Sequence, residues 1–72
     1  MKVQYFAEDD MLYLTLTERA SEESAEVAPG VVLDLDAAGN VVGIEIEDAA
    51  KRLGIDVDHV SIERSATVAN RD

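Results

Sequence analysis

Seventy-two residues make room for one small domain, and the absence of cysteine excludes both disulfide staples and thiolate metal cages. Sixteen acids against six bases give a formal charge of −10, which argues against direct binding of nucleic acid or of an anionic membrane, since both rest on Lys and Arg. A core of this size supplies only about 3–5 kcal/mol of net stability, so help is expected from close strand pairing, self-association or a partner.

The opening MKVQYF passes into acids with no apolar stretch behind it. No secretory signal and no membrane span are therefore expected, and a cytoplasmic location is. KVQYF alternates, with Val3 and Tyr5 on one side and Lys2, Gln4 and Phe6 on the other. AEDD breaks that run, and MLYLTLT follows with Leu12, Leu14 and Leu16 opposite Met11, Tyr13, Thr15 and Thr17. A period of two marks both as strands. Pairing Val3 with Leu14 and Tyr5 with Leu12 collects the apolar residues on one face and leaves residues 7–10 as the hairpin loop.

ERASEESAEVAPG has no sustained periodicity and ends in Pro29 and Gly30, as an exposed connection would. VVLDLD and VVGIEIE are the clearest strands. Pairs Leu35–Val42, Leu33–Ile44 and Val31–Ile46 make one face wholly apolar, and a slip of one residue would set acids against the core. DAAKRLG carries the signals of a short helix: Asp48 to cap it, Lys51 and Arg52 in its last turn, Gly54 to end it. Ala49, Ala50 and Leu53 would pack it on the apolar face. Val60 and Ile62 alternate with Ser61 and Glu63, as in a last short strand. The expected fold is α+β, an antiparallel β-meander of about four strands with one short C-terminal helix packed on one face. Residues 1–64 would form the single domain and residues 65–72 a frayed tail.

Residues 34–45, DLDAAGNVVGIE, place Asp34, Asp36, Gly39, Val41 and Glu45 where a helix-flanked calcium loop has acid, acid, glycine, apolar residue and bidentate glutamate. Ala38 and Val42 stand where such a loop needs oxygen or bound water, and both flanks alternate as strands. Two acids spaced by two along a strand are roughly 6.8 Å apart. No metal and no cofactor are expected, and the stretch is read as a turn.

Neither the lone His59 nor the serines form a nucleophile or zinc constellation. Paired carboxylates alone would need a deep pocket for acid and base work, so a carboxylate-based or metal-assisted enzyme ranks last. What remains unexplained is an outer side mixing acids with apolar residues: Phe6, Met11, Tyr13, Val32, Asp34, Asp36, Val41, Glu45 and Glu47. A solvated outer face is the plain reading; apolar residues among acids are odd for it, and an interaction face would explain them. Two occupants fit, a second copy in a homodimer and a basic protein partner.

The stretches MKVQYFAEDDMLYLTLTE and PGVVLDLDAAGNVVGIEIEDAAKRL resemble a family of small prokaryotic proteins, domain of unknown function 2283. Tyr5, Asp10, Leu12, Tyr13, Asp34, Gly39, Val42, Gly43, Ile44, Glu45, Ile46 and Ala49 carry the match, which extends over residues 1–53. Position 50 departs from it, with Ala where the family usually has serine. The resemblance implies a small α+β protein with no established activity and no catalytic residues. Some relatives are suspected neighbours of toxin-like genes, an association only; the acidic surface and small size of this chain suit a protein-interaction module, such as an antitoxin-like partner of a basic protein. The alternative is a homo-oligomeric structural protein with no separate ligand.

Overall fold

A computed structural model describes residues 1–66. It contains five strands, β1 (Lys2–Phe6), β2 (Met11–Thr15), β3 (Glu23–Ala28), β4 (Val31–Leu35) and β5 (Val41–Glu47). They form one antiparallel sheet in the order β1-β2-β5-β4-β3. The first hairpin has the expected register, Val3 opposite Leu14 and Tyr5 opposite Leu12, around the loop at residues 7–10. The second pairs Leu33 with Ile44 and Val31 with Ile46, as alternation requires. At its closed end the expected Leu35–Val42 pair is replaced by Leu35–Val41. A register shift between Asp34 and Leu35 inserts the extra residue.

The α+β expectation is overturned, because the sheet is all-β and no helix occurs among the described residues. Residues 48–53 do turn. Arg52 N–H donates to Asp48 O at 2.9 Å and Gly54 N–H to Ala50 O at 3.1 Å. That is one turn's worth of bonds, too few to outweigh the cost of helix nucleation. Gly54, at φ 68°, ends the turn. Asp48, at φ 52°, is left-handed and lacks the extended backbone of an N-cap.

Nor is the sheet a simple meander of four strands. β3, β4 and β5 form a meander whose last strand returns to pair with β2, so β5 lies at the centre. β3 arises from the segment read as an exposed connection. It is an edge strand with only Ala25 half-buried, and its sequence therefore carries no apolar alternation. Its state is imposed by the open backbone edge of β4, with a register shift between Glu26 and Ala28. Residues 16–22 link the two units, anchored where Leu16 N–H donates to Val42 O at 2.9 Å and Glu22 N–H to Leu35 O at 2.7 Å. Val60 and Ile62 lie in no strand. The expected tail falls mostly on residues 67–72, outside the described residues.

The registers align two apolar rows across all five strands. One runs Val3, Leu14, Ile44, Leu33, Ala25; the other runs Tyr5, Leu12, Ile46, Val31, Ala28. In place of a helix, residues 55–61 meet one end of this face, and with Val3, Leu12 and Leu14 they line a groove of about 250 Å³. The remainder is lightly covered. Among the described residues the buried apolar side chains are Leu12, Val42 and Ala49, while Ile44 and Ile46 on the central strand are only partly buried.

Candidate functional site

The opposite face is set by the same registers. Gln4, Tyr13, Glu45, Val32 and Glu26 form one row, Lys2, Thr15, Gly43, Asp34 and Ser24 a second, and Phe6, Met11 and Glu47 a third. Seven of the nine residues expected to share an interaction face are therefore together here: Phe6, Met11, Tyr13, Val32, Asp34, Glu45 and Glu47. Asp36 is not among them, because it lies past the end of β4 in the loop. Val41 sits at the irregular end of β5, opposite Leu35 and next to the register shift.

Polar side chains on this face hold one another. Tyr13 Oη donates to Glu45 Oε1 at 3.1 Å, and Ser24 Oγ donates to Asp34 Oδ1 at 3.2 Å. Asp34 lies beside Glu45, and the pressure to share a proton with it, aided by partial burial, raises the Glu45 carboxyl above the usual range; the Tyr13 hydroxyl opposes this. Glu45 in turn raises the Tyr13 phenol. The Phe6 and Tyr13 rings meet edge to face with centroids 5.7 Å apart, which shields apolar surface that would otherwise face water. Gly43 occupies the middle of the face for a steric reason. A Cβ there would come within 3.1 Å of Leu14 O and 3.2 Å of Asp34 Oδ2.

Among the described residues, no group of three or more His, Cys, Asp or Glu is arranged to hold a metal ion. The calcium-like loop is held from within. Asp36 Oδ1 accepts from Asn40 N–H at 2.8 Å and from Ala38 N–H at 3.0 Å, while Asn40 Nδ2 and Arg19 Nη1 donate to Oδ2 at 3.3 and 3.1 Å. These bonds, the Asn40 N–H foremost, hold the carboxyl down to about 2. Gly39 supplies the positive φ of 85° that closes the turn.

A second aspartate does what the sequence assigned to Asp48. Asp10 Oδ1 accepts from Ala50 N–H at 3.0 Å and from Tyr5 Oη at 2.8 Å, and its Oδ2 accepts from Lys51 N–H at 2.9 Å. Its backbone oxygen takes the Ala49 N–H at 3.1 Å. The backbone donors of Ala50 and Lys51, followed by Tyr5, lower its carboxyl. Asp10 thus ties the first hairpin loop to the turn after β5. Tyr5, Asp10 and Ala49, which all carry the family resemblance, meet at this point, and Ala49 is fully buried. Their joint presence in the motif was the one sequence signal for the contact.

The clefts offer little to a small ligand. One of about 570 Å³ between the β3–β4 turn and the residues after β5 contains Arg52, whose Nη2 is committed to Pro29 O at 2.6 Å. One of about 420 Å³ lies over Asp10, whose carboxylate oxygens are already engaged. The hollow beside Tyr13 and Asp34 measures about 170 Å³, below the ~300 Å³ at which ligand pockets begin. No helix among the described residues is long and apolar enough to cross a membrane. The family model described as Protein of unknown function (DUF2283) matches residues 2–49, from β1 through all five strands to the Ala49 contact. No curated protein and no solved structure matches the chain.

Proposed function

The chain belongs to the family described as Protein of unknown function (DUF2283), and on that premise we propose that it is a small, acidic, non-enzymatic protein-interaction module of the cytoplasm. The carrying observation is the sheet itself. Its central strand holds isoleucines that are only partly buried, and among the described residues just three apolar side chains are buried. Among the described residues no helix covers either side, and such a sheet gains most from a polypeptide laid against it. The committed state of Asp10, Asp36 and Arg52 supports a structural rather than a catalytic use of its charged groups.

The experiment is mass measurement on protein isolated natively from its own cells. An assembly heavier than the 7.8 kDa chain is expected. A bare monomer at cellular concentration overturns the proposal. The charge of −10 and the row holding Glu45 favour a second reading, in which the partner is a basic protein held antitoxin-fashion on the acid face. In that case the co-isolated polypeptide is basic, and raising the salt releases it. A partner that is not basic, or a complex insensitive to salt, excludes the second reading.

A further inference from the structure

We propose that the apolar face is occupied by the same face of a second copy of this chain, so that two sheets pack as a sandwich about a two-fold axis near Ile44. The inference rests on the interaction-module reading and names its partner and its surface.

Charge decides between the two sides of the sheet. The rows through Ile44 and Ile46 span five strands and contain no carboxylate and no basic side chain, so two copies can meet along them without like charges facing; the acids beside them are at the margins, Glu23 on the edge strand opposite Leu35 and Asp56 in the groove at the β1–β2 end. The other side carries Asp34, Glu45, Glu47 and Glu26 in a chain of net charge −10. Self-association there would bring carboxylates together, and Glu45 is already crowded by Asp34. The same repulsion keeps a third copy off the outside of a sandwich, so the assembly closes at two, as an isologous interface should.

Size limits how tightly two copies can hold. Five strands about 4.8 Å apart and five residues long at about 3.4 Å each give a flat footprint of at most roughly 400 Å² per copy, one end of which is met by residues 55–61 of the same chain. Two such footprints total roughly 800 Å², short of the ~1,200 Å² at which stable interfaces begin. The segment after β5 extends the margin. Val60 lines the groove beside Val3, Leu12 and Leu14 and is 62% exposed, and Ile62 is 75% exposed. The result is a reversible, concentration-dependent dimer with sheets about 10 Å apart and strands crossing near 30°.

The natural chain has no cysteine, so single-cysteine variants report proximity directly. Ile44→Cys lies on the proposed axis, and Val32→Cys lies on the acid face. With a bis-maleimide crosslinker whose arm reaches across sheets about 10 Å apart, Ile44→Cys is expected to form a covalent dimer and Val32→Cys to stay single. Sedimentation equilibrium of the unmodified protein is expected to show mass rising toward twice 7.8 kDa with concentration. Leu33→Asp, confirmed as folded by circular dichroism, weakens that association by about tenfold or more, since it buries a charge at the interface. If Leu33→Asp does not fold, the cysteine pair still decides. Crosslinking through Val32→Cys and not Ile44→Cys overturns the apolar-face dimer while self-association, and with it the module reading, stands. A monomer mass at all concentrations, with neither cysteine crosslinking, overturns the second copy altogether. Native isolation then decides separately whether a different polypeptide is held.

Discussion

The two faces of the sheet are built from the same strands and the same registers, yet they are held together in different ways. On the apolar face, rows run unbroken across five strands, and their stability depends on being removed from water. On the acid face, the rows are short of apolar area and are secured by local pairs: Tyr13 with Glu45, Ser24 with Asp34, Phe6 against Tyr13. One face gains from a cover, whereas the other is tolerable in water. The difference teaches that an exposed sheet surface is not in itself an invitation to a partner. What matters is whether its groups already satisfy one another.

The sharpest test of this contrast is to cut into the apolar face at its buried point. Leu12→Ala, at a residue 8% exposed, is expected to cost about 2–5 kcal/mol. That is most of the stability a chain of this size has, and urea denaturation should find the variant largely unfolded. Gly43→Ala puts a methyl against Leu14 O and Asp34 Oδ2 on the acid face, and overpacking of that kind is expected to cost about 1–3 kcal/mol. A neutral result in thermal melts would show that the centre of the acid face is looser than its distances indicate.

Acidity separates the groups on the acid face from the loop beside it. Glu45 has its pKa raised above 4.5 in the folded protein. The folded state therefore binds more protons than the unfolded state just above 4.5, and stability rises as pH falls through that window. Asp36 is held at about 2 against an ordinary 3.8, and Asp10 is also lowered from 3.8. Their contributions are fully present above 3.8 and fade as pH falls through their folded values. A melting-temperature profile should thus pass through a maximum in mildly acidic solution, and Glu45→Gln should flatten its higher-pH side. Tyr13→Phe removes one partly exposed hydrogen bond and is expected to cost about 0.5 kcal/mol, near the lower limit for such bonds. Calcium should have the smallest effect. Because Asp36 spends its oxygens on its own loop, melts with calcium should match melts with magnesium; a rise of several degrees peculiar to calcium would show that the loop opens to take the ion.

The sequence by itself determined the two hairpins and the composition of both faces. Alternation puts each strand's apolar residues on one side, and a one-residue slip would reverse them all, so the Val3–Leu14 and Leu33–Ile44 registers are legible without coordinates. Seven residues of the candidate face follow from the same periodicity. Asp36 was placed with them by parity alone, but the chain leaves the strand before it and turns on that carboxylate. The tertiary structure decided three things: the fifth strand, the central place of β5, and the fate of the turn after it. β3 is made a strand by the unpaired edge of β4, a cause that lies outside its own sequence. Asp10 caps residues 50 and 51 from forty positions away. A local pattern of Asp48, lysine, arginine and glycine signalled a helix. The long-range hydrogen bonds of Asp10 instead fix the turn to the first hairpin, and too few residues remain before Gly54 for a helix to propagate.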